Sequence, residues 1–359
     1  MQMRKRLLST ISVLLGLFLF VAILYHIGWT EAFHQIRQLG VAGGVALLLS
    51  MGLAFALEAA AWRTILHAYE INSSRLKTLG AFASGYAVSY LTPSMYLGGE
   101  LVRAHLIHRD TSAPGTKITA TIIVERLLNG AAMISFIVLA SLFGSSTDLL
   151  PSVQKWMLYL WAAGGMAFIG LWILSFTRNY MWISRSIFAL RRVLPGKEWL
   201  TKVGEKVAAV EIEIHAAFTY RLRRTGIAFA LSLSSALLIY LRPQIFFYFT
   251  EGRLLSGGEL FLIFAFCIFL TGVLWITPGG IGIAEVGMVG FLGLLGISQG
   301  GALAFAFAVK GIELILLSLG FTYLMHRGLT RMVGRRSVSI SPPRSEVGVK
   351  GVVDESEWA

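Results

Sequence analysis

Long apolar stretches with few charged residues dominate the pattern of hydrophobic and polar positions along the chain. A helix needs about 20 residues to cross the hydrocarbon core of a bilayer. Six stretches have roughly this length, at residues 7–25, 39–62, 118–143, 157–176, 226–249 and 301–325. The first lacks a small-residue cleavage site at its end, so we expect a membrane span rather than a signal peptide. The pattern therefore predicts an all-α polytopic membrane protein with about six full spans.

Two further apolar segments are interrupted in the middle. Residues 78–110 are broken at Thr92-Pro93, and residues 259–297 are broken at Thr277-Pro278 followed by two glycines. A helix does not continue through such a sequence, because proline lacks a backbone donor and glycine favours turns. We predict two re-entrant or broken helical hairpins, each returning to the side it left. Backbone at such a break is tolerated only where it is buried in protein or lines a wet cavity.

The distribution of basic residues agrees with this topology. With an inside N-terminus and two returning hairpins, the segments 1–6, 63–77, 109–117, 177–225 and 326–350 face inside and hold 24 Lys and Arg residues. The outer segments hold only Arg37, Lys155 and Arg253. The positive-inside rule therefore predicts cytoplasmic N- and C-termini.

The two hairpins share a sequence pattern. Glu100 follows Pro93 at the same spacing at which Glu285 follows Pro278. The unit that contains the first hairpin starts outside, and the unit that contains the second hairpin starts inside. This arrangement predicts an inverted-topology repeat. We place repeat one at about 39–143 and repeat two at about 226–325. Substrate sites of inverted-repeat transporters lie near the midplane, at broken helices.

Composition narrows the function class. The chain is 56% hydrophobic and 14% charged, which excludes a water-soluble enzyme. On a membrane protein, a net charge of +12 indicates loops facing anionic lipid rather than nucleic acid. The basic loop 177–225 is expected to be an amphipathic helix on the inner leaflet, and residues 326–359 a disordered tail after a membrane domain spanning 1–325. The sequence has no metal, nucleotide or hydrolase motif, so no cofactor, metal or catalytic residue is expected.

Ionisable residues inside apolar spans are functional candidates because their insertion is costly. The predicted substrate-binding or gating residues are Glu100, Arg103, Glu125, Arg126, Glu285, Lys310 and Glu313. The predicted broken-helix backbone comprises Pro93, Gly98, Gly99, Pro278, Gly279, Gly280 and Gly282. An alternative for Lys310 and Glu313 is a self-neutralising pair that joins helices. Arg242 is expected near the outer end of its span, where it could snorkel.

Several strings resemble the lysylphosphatidylglycerol synthase transmembrane-region family, also called flippase-like domain proteins. They are Leu91-Thr92-Pro93, Gly98-Gly99-Glu100-Leu101-Val102-Arg103, Val124-Glu125-Arg126-Leu127-Leu128 and Thr277-Pro278-Gly279-Gly280-Ile281-Gly282-Ile283-Ala284-Glu285, and the resemblance runs from about residue 10 to 325. In that family the membrane domain moves aminoacylated phosphatidylglycerol between leaflets and is paired with a soluble transferase domain. The segment after residue 325 is too short for that transferase. Met95-Tyr96-Leu97 replaces residues that are usually small, and Asn129 stands where an acid commonly follows Glu-Arg.

The leading hypothesis is a lipid transporter of the bacterial plasma membrane. It would bind an anionic or zwitterionic phospholipid headgroup at a midplane site between the two hairpins and move it between leaflets. Two alternatives stay open: a membrane-embedded lipid-modifying transferase with Glu100 or Glu125 as general base, and a non-catalytic partner subunit of a lipid synthase. The expected partners are membrane lipids and a lipid-modifying enzyme, without nucleic acid.

Overall fold

The computed structural model describes residues 29–91, 98–144, 152–193, 198–273 and 282–338. These residues form helices joined by short connections, and none of them lies in a strand. The helices are α1 Trp29–Ala68, α2 Arg75–Leu91, α3 Gly99–Thr111, α4 Gly115–Gly144, α5 Ser152–Thr177, α6 Trp182–Val193, α7 Glu198–Thr219, α8 Leu222–Glu251, α9 Gly257–Val273, α10 Ile283–Leu294 and α11 Gln299–Val338. The prediction of an all-α polytopic membrane protein is confirmed.

Five of these helices, α1, α4, α5, α8 and α11, are long and apolar enough to cross a membrane. They coincide with five of the six predicted spans, and the remaining one, at residues 7–25, lies outside the described residues. Helix α1 is interrupted at Gly40, whose φ of 61° is a conformation that glycine adopts without a steric penalty. Its principal apolar part follows this kink.

Helices α2 and α3 form an antiparallel hairpin. Near the end of α2 and the start of α3, the Gly99 amide donates to Ser89 Oγ at 2.9 Å. At its open end, Asp110 pairs with Arg327 of α11 at 2.8 Å. The neighbouring turn of α11 also contacts Gly80, near the start of α2. Helix α3 therefore returns to the level at which α2 begins.

Helices α9 and α10 form a second antiparallel hairpin. Phe266 and Phe291 stack with ring centroids 4.0 Å apart. Arg253, just before α9, donates to the Leu295 and Gly296 carbonyls at the end of α10, both at 3.4 Å. The two predicted breaks, at residues 92–93 and 277–280, lie outside the described residues.

In each half of the chain, the first helix of the hairpin packs on a long helix of the other half. Helix α2 packs on α11, and its counterpart α9 packs on α4. Helices α1 and α8 pack on each other in opposite directions, since Ser50 donates to the Leu238 carbonyl and Ser235 Oγ lies 3.1 Å from the Ala54 carbonyl oxygen. The first hairpin opens toward the end of the bundle where α1 finishes, and the second toward the end where α8 finishes. We interpret this as the inverted repeat and propose α1–α4 and α8–α11 as its two halves.

Each hairpin has its own apolar core. One core includes Ile263 and Leu292 of the second hairpin, and the other includes Ile107 of the first. Along α1 and α8 the change from one core to the other falls at residues 51–59 and 228–246 respectively. Glu58 and Arg242 lie within these intervals, so both belong to the middle of the bundle.

The segment 177–225 contains two helices rather than the one that its amphipathic pattern indicated. The buried carboxylate of Glu211 on α7 accepts hydrogen bonds from the Ile183 and Ser184 amides at 3.0 and 3.1 Å. It thereby caps the first turn of α6. The Tyr69 hydroxyl donates to the Glu213 carbonyl, which fastens α7 beneath the end of α1.

Helix α11 also differs from the sequence-based expectation at its end. It continues to Val338, past the boundary expected at residue 325 between the membrane domain and a disordered tail. Residues 339–359 lie outside the described part of the chain.

Candidate functional site

A fully buried ion pair joins the first hairpin to α4. Arg103 Nη2 lies 2.7 Å from Glu125 Oε2, and each side chain is 1% exposed. The guanidinium also lies over the rings of Trp62 and Phe82, at 4.1 and 4.6 Å from their centroids. Among the described residues, its Nε and Nη1 have no hydrogen-bond partner. A pair buried in this way holds the helices together because either ion alone would be strongly destabilising.

A second pair joins the same two helices, one residue later on α4 and three residues earlier on α3. Arg126 Nη2 and Nε donate to Glu100 Oε1 at 2.8 and 3.1 Å. The side chains are 40% and 19% exposed, so this pair is accessible where the first is sealed. Adjacent residues of α4 point about 100° apart, and α3 supplies a partner to each of them. Together with Glu58, Asn129 and Ser235, these residues form what we call the first charged cluster.

Glu58 on α1 belongs to this cluster and was missed in the sequence analysis. Its Oε1 accepts hydrogen bonds from Asn129 Nδ2 and Ser235 Oγ, both at 3.1 Å. Within the described residues it forms no ion pair. The available signal was a single acid within an otherwise uncharged stretch of α1. Asn129, where the chain departs from the family pattern, is thus a neutral donor to this acid.

The second charged cluster consists of Tyr90, Glu285, Lys310 and Glu313. Lys310 Nζ lies 3.5 Å from Glu313 Oε2 and 4.0 Å from Glu285 Oε1. The Tyr90 hydroxyl donates to Glu313 Oε2 at 3.3 Å, and Lys310 Nζ lies 5.3 Å from the centroid of the Tyr90 ring. Because Tyr90 ends α2 and Glu285 begins α10, the described ends of both hairpins converge on Lys310.

The pairing of Lys310 with Glu313 is therefore only part of a larger arrangement. The pair expected from their spacing is present, and it also contacts α2 and α10. Glu285 has a second role, since its Oε2 accepts the Gly282 amide at 2.6 Å and closes the first turn of α10. A substitution at Lys310 would thus affect two hairpins as well as its own helix.

Arg242 lies inside the bundle, whereas the sequence predicted a position near the outer end of its span, from which the side chain could snorkel. Glu313 and Glu58 both act electrostatically on its guanidinium. Its Nε is buried and has no hydrogen-bond partner among the described residues. Helix α8 continues to Glu251, so Arg242 is more than two turns from its end. It lies between the first and second charged clusters.

The two halves place opposite charges at corresponding positions. The sequence spacing that separates Glu100 from Glu285 also separates Glu125 from Lys310. In the first half α3 supplies a base, Arg103, to the acid on α4. In the second half α10 supplies the acid and α11 the base. The clusters together offer both signs of charge in an otherwise apolar bundle.

The predicted backbone residues have mixed positions. Gly99 lies so close to Gly85 that a Cβ would overlap the Gly85 carbonyl, so Gly99 serves helix packing. Gly282 begins α10 with φ of 86°, and Gly98 precedes α3. Pro93, Pro278, Gly279 and Gly280 lie outside the described residues. In the part of the chain that the structure covers, no group of three His, Cys, Asp or Glu side chains could hold a metal ion.

Comparison with known proteins identifies the family of the chain. Residues 9–320 match the model of the lysylphosphatidylglycerol synthase transmembrane region. A UPF0104 membrane protein of Pyrococcus horikoshii is 28% identical over 146 residues, which cover 39% of this chain and 41% of that protein. No solved structure matches the chain significantly. Since the family match covers most of its length, the chain belongs to the lysylphosphatidylglycerol synthase transmembrane-region family.

Proposed function

We propose that this protein is a lipid transporter that binds a phospholipid headgroup at its two charged clusters and moves the lipid between leaflets. The observation that carries the proposal is the convergence of both hairpins on Lys310. Substrate sites of inverted-repeat transporters lie where broken helices meet. Family membership supports a role connected with membrane lipids.

Charged side chains in the middle of an apolar bundle are unfavourable, which points to a functional role for them. An ionised side chain at the centre of a transmembrane helix costs about 2.5–3.5 kcal/mol on insertion scales. The Arg126 side chain is 40% exposed and that of Lys310 21% exposed, so a headgroup could reach both. A phosphate would bind to these cations and to Arg242, while the partly exposed carboxylates of Glu100 and Glu313 would bind any amine that the headgroup carries.

The proposed substrate is an anionic or zwitterionic phospholipid, and the proposed location is the bacterial plasma membrane with both termini in the cytoplasm. A separate lipid-modifying enzyme would supply a modified lipid to the transporter.

The test is leaflet-resolved lipid flux in vesicles reconstituted with the purified protein. The vesicles contain phosphatidylglycerol or phosphatidylethanolamine labelled on the acyl chain, and a membrane-impermeant quencher reports on the outer leaflet. In protein-free vesicles we expect quenching of only the half of the fluorescence that lies in the outer leaflet. In vesicles with protein we expect further quenching, because labelled lipid from the inner leaflet reaches the outer one. Equal signals in both would contradict transport.

Mass spectrometry of the lipids after the same incubation separates transport from chemistry. The account predicts lipids of unchanged mass. A covalently altered lipid that depends on Glu100 or Glu125 would instead support the transferase alternative. If flux is absent and Arg126→Met has no effect on a partner synthase in cells, the scaffold alternative becomes the better account.

A further inference from the structure

We propose that Glu58 is a proton-binding site that couples lipid movement to a proton gradient. The inference rests on the proposed lipid transport and assigns it a driving ion. It starts from the position of a carboxylate in the middle of the bundle with neutral hydrogen-bond donors and no cationic partner among the described residues.

Glu58 differs from the other carboxylates of the two clusters. Each of those has a basic residue within 4.0 Å: the partner is Arg103 or Arg126 in the first cluster and Lys310 in the second. Both hydrogen bonds to Glu58 reach the same oxygen, Oε1. Its Oε2 accepts no hydrogen bond from the described residues, so it can carry a proton without displacing a donor. The other carboxylates would lose an ion pair on protonation, whereas Glu58 would lose none.

The surroundings of Glu58 contain charges of both signs. Helix α4 contributes Glu125 and Arg126, α8 contributes Arg242, and the charged groups of α11, Lys310 and Glu313, pair with each other. Helix α2 contributes Tyr86, whose ring lies 5.5 Å from that of Phe55, one turn before Glu58. A like charge disfavours an ionised carboxylate and an opposite charge favours it. Proton occupancy of Glu58 therefore depends on how close the guanidinium groups of Arg126 and Arg242 lie to it.

This dependence links the proton to the lipid. A headgroup phosphate that binds Arg126 or Arg242 neutralises the cations that favour ionised Glu58. Lipid binding would then promote proton binding, and by linkage a proton on Glu58 would promote lipid binding. In each cycle the O–H bond forms with a proton from water on one side and breaks to water on the other, so no further reactant is consumed.

Glu58→Gln separates protonation from the remaining structure. Glutamine keeps the carbonyl oxygen that Asn129 and Ser235 bond, and its amide replaces the protonated oxygen, so the variant resembles permanently protonated Glu58. Glu70→Gln is the matched control, because Glu70 lies just beyond the end of the same helix and is exposed. Both variants should fold as the wild type does.

The first measurement is lipid flux in reconstituted vesicles with and without an imposed pH gradient. For wild type and Glu70→Gln we expect the ratio of labelled lipid between the two leaflets to shift by up to about tenfold per pH unit, because one proton moved with each lipid supplies that free energy. Glu58→Gln should transport at a rate that the gradient does not alter. Wild-type flux that ignores the gradient would overturn the proposal, as would a complete loss of flux in Glu58→Gln at every pH, which would make Glu58 a lipid ligand.

The second measurement does not require transport. Infrared difference spectra of the protein in lipid nanodiscs, recorded across a pH titration, should show a protonated-carboxyl band in wild type and Glu70→Gln that is missing in Glu58→Gln. Absence of this wild-type band would overturn the proton site. If the band titrates but no vesicle shows flux, the proposed transport function fails while the proton site stands.

Discussion

At the scale of single residues, the charges of the two clusters have partners on other helices. Arg103 and Glu125 are sealed, whereas Arg126 and Lys310 keep part of their surface exposed. A buried pair contributes little net stability over an apolar pair, but it makes each ion depend strongly on the other. The sealed pair is therefore structural in our account, and the exposed cations bind substrate.

Substitution of one member of the sealed pair should expose this dependence. Arg103→Met leaves Glu125 charged and buried, and we expect the free energy of unfolding to fall by about 3–5 kcal/mol. The double variant Arg103→Met with Glu125→Leu should recover most of it. Thermal unfolding in detergent, followed by tryptophan fluorescence, measures the effect.

The control for this experiment is Glu213→Gln. Glu213 forms a longer, 3.9 Å pair with Arg221, and both side chains are partly exposed, so the loss should stay below about 1 kcal/mol. A single Arg103 variant as stable as this control would contradict the structural role of the sealed pair.

The two members of the Lys310–Glu313 pair should differ in their effect on stability. Lys310→Met leaves both Glu285 and Glu313 without this cation, whereas Glu313→Gln keeps an acceptor for the Tyr90 hydroxyl. We therefore expect the lysine variant to lower the melting temperature more than the glutamate variant. Equal effects would indicate that Lys310 and Glu313 form an isolated pair and that Glu285 of the second hairpin does not depend on Lys310.

The sequence allowed seven charged candidates to be selected, because charges are recognisable inside apolar spans and in the limbs that follow the two predicted helix breaks. It did not reveal how they pair, since Glu100 and Arg103 share a face of α3 and yet bind two different residues of α4. Glu58 was missed because it lies near one end of its apolar stretch, where an acid resembles an interfacial residue. Arg242 was expected to snorkel, because the sequence does not show that Glu58 and Glu313 of other helices lie near it.

At the scale of helices, the hairpins are fixed by close packing of small residues as well as by ion pairs. Gly320 of α11 approaches α2 so closely that a Cβ would overlap the Ala83 carbonyl. Ser84 Oγ also donates to the Gly320 carbonyl at 3.1 Å. Small residues allow such approach between helices in a membrane. The α2–α11 contact thus holds the first hairpin against the second half of the chain.

Two glycines of α11 provide a matched test of this contact. Gly320→Ala should lower the free energy of unfolding by about 1–3 kcal/mol, because backbone must move to accept the methyl group. Gly311→Ala meets no atom within 4 Å and should be neutral or stabilising by up to about 1 kcal/mol. Thermal unfolding of both variants measures the difference, and equal stability would contradict the close α2–α11 packing.

The presence of five long apolar helices was readable from the sequence, whereas the breaks at residues 92–93 and 277–280 stay predictions, since they lie outside the described residues. The division of segment 177–225 into two helices was not, because it depends on Glu211 reaching the start of α6 from α7. The same limit applies to the end of α11, whose polar last turns resemble a disordered tail in composition.

At the scale of the whole molecule, the two hairpins open toward opposite ends of the bundle. The positive-inside pattern agrees with this topology, because Arg63, Arg75, Arg109 and Lys117 all lie at the end where α1 finishes and α4 begins. This arrangement makes the sidedness of the connections a direct test of the hairpins.

Single-cysteine labelling on a Cys267→Ala background tests the topology. Ser112→Cys, after the first hairpin, and Tyr220→Cys, before α8, should react with an impermeant reagent from the same side. Gln299→Cys, after the second hairpin, should react only from the other side. Labelling of Ser112→Cys and Gln299→Cys from one side would contradict the inverted hairpins.

The central claim, that charges between the converging hairpins bind the lipid that is moved, is tested most directly by the flux of one variant pair. Arg242→Met removes a cation between the two clusters, and Arg37→Met removes an exposed cation near the start of α1. In vesicles with equal amounts of folded protein, we predict wild-type flux for Arg37→Met and at least about a tenfold loss for Arg242→Met, the effect of about 1.4 kcal/mol in headgroup binding. Equal flux in both variants would contradict the account.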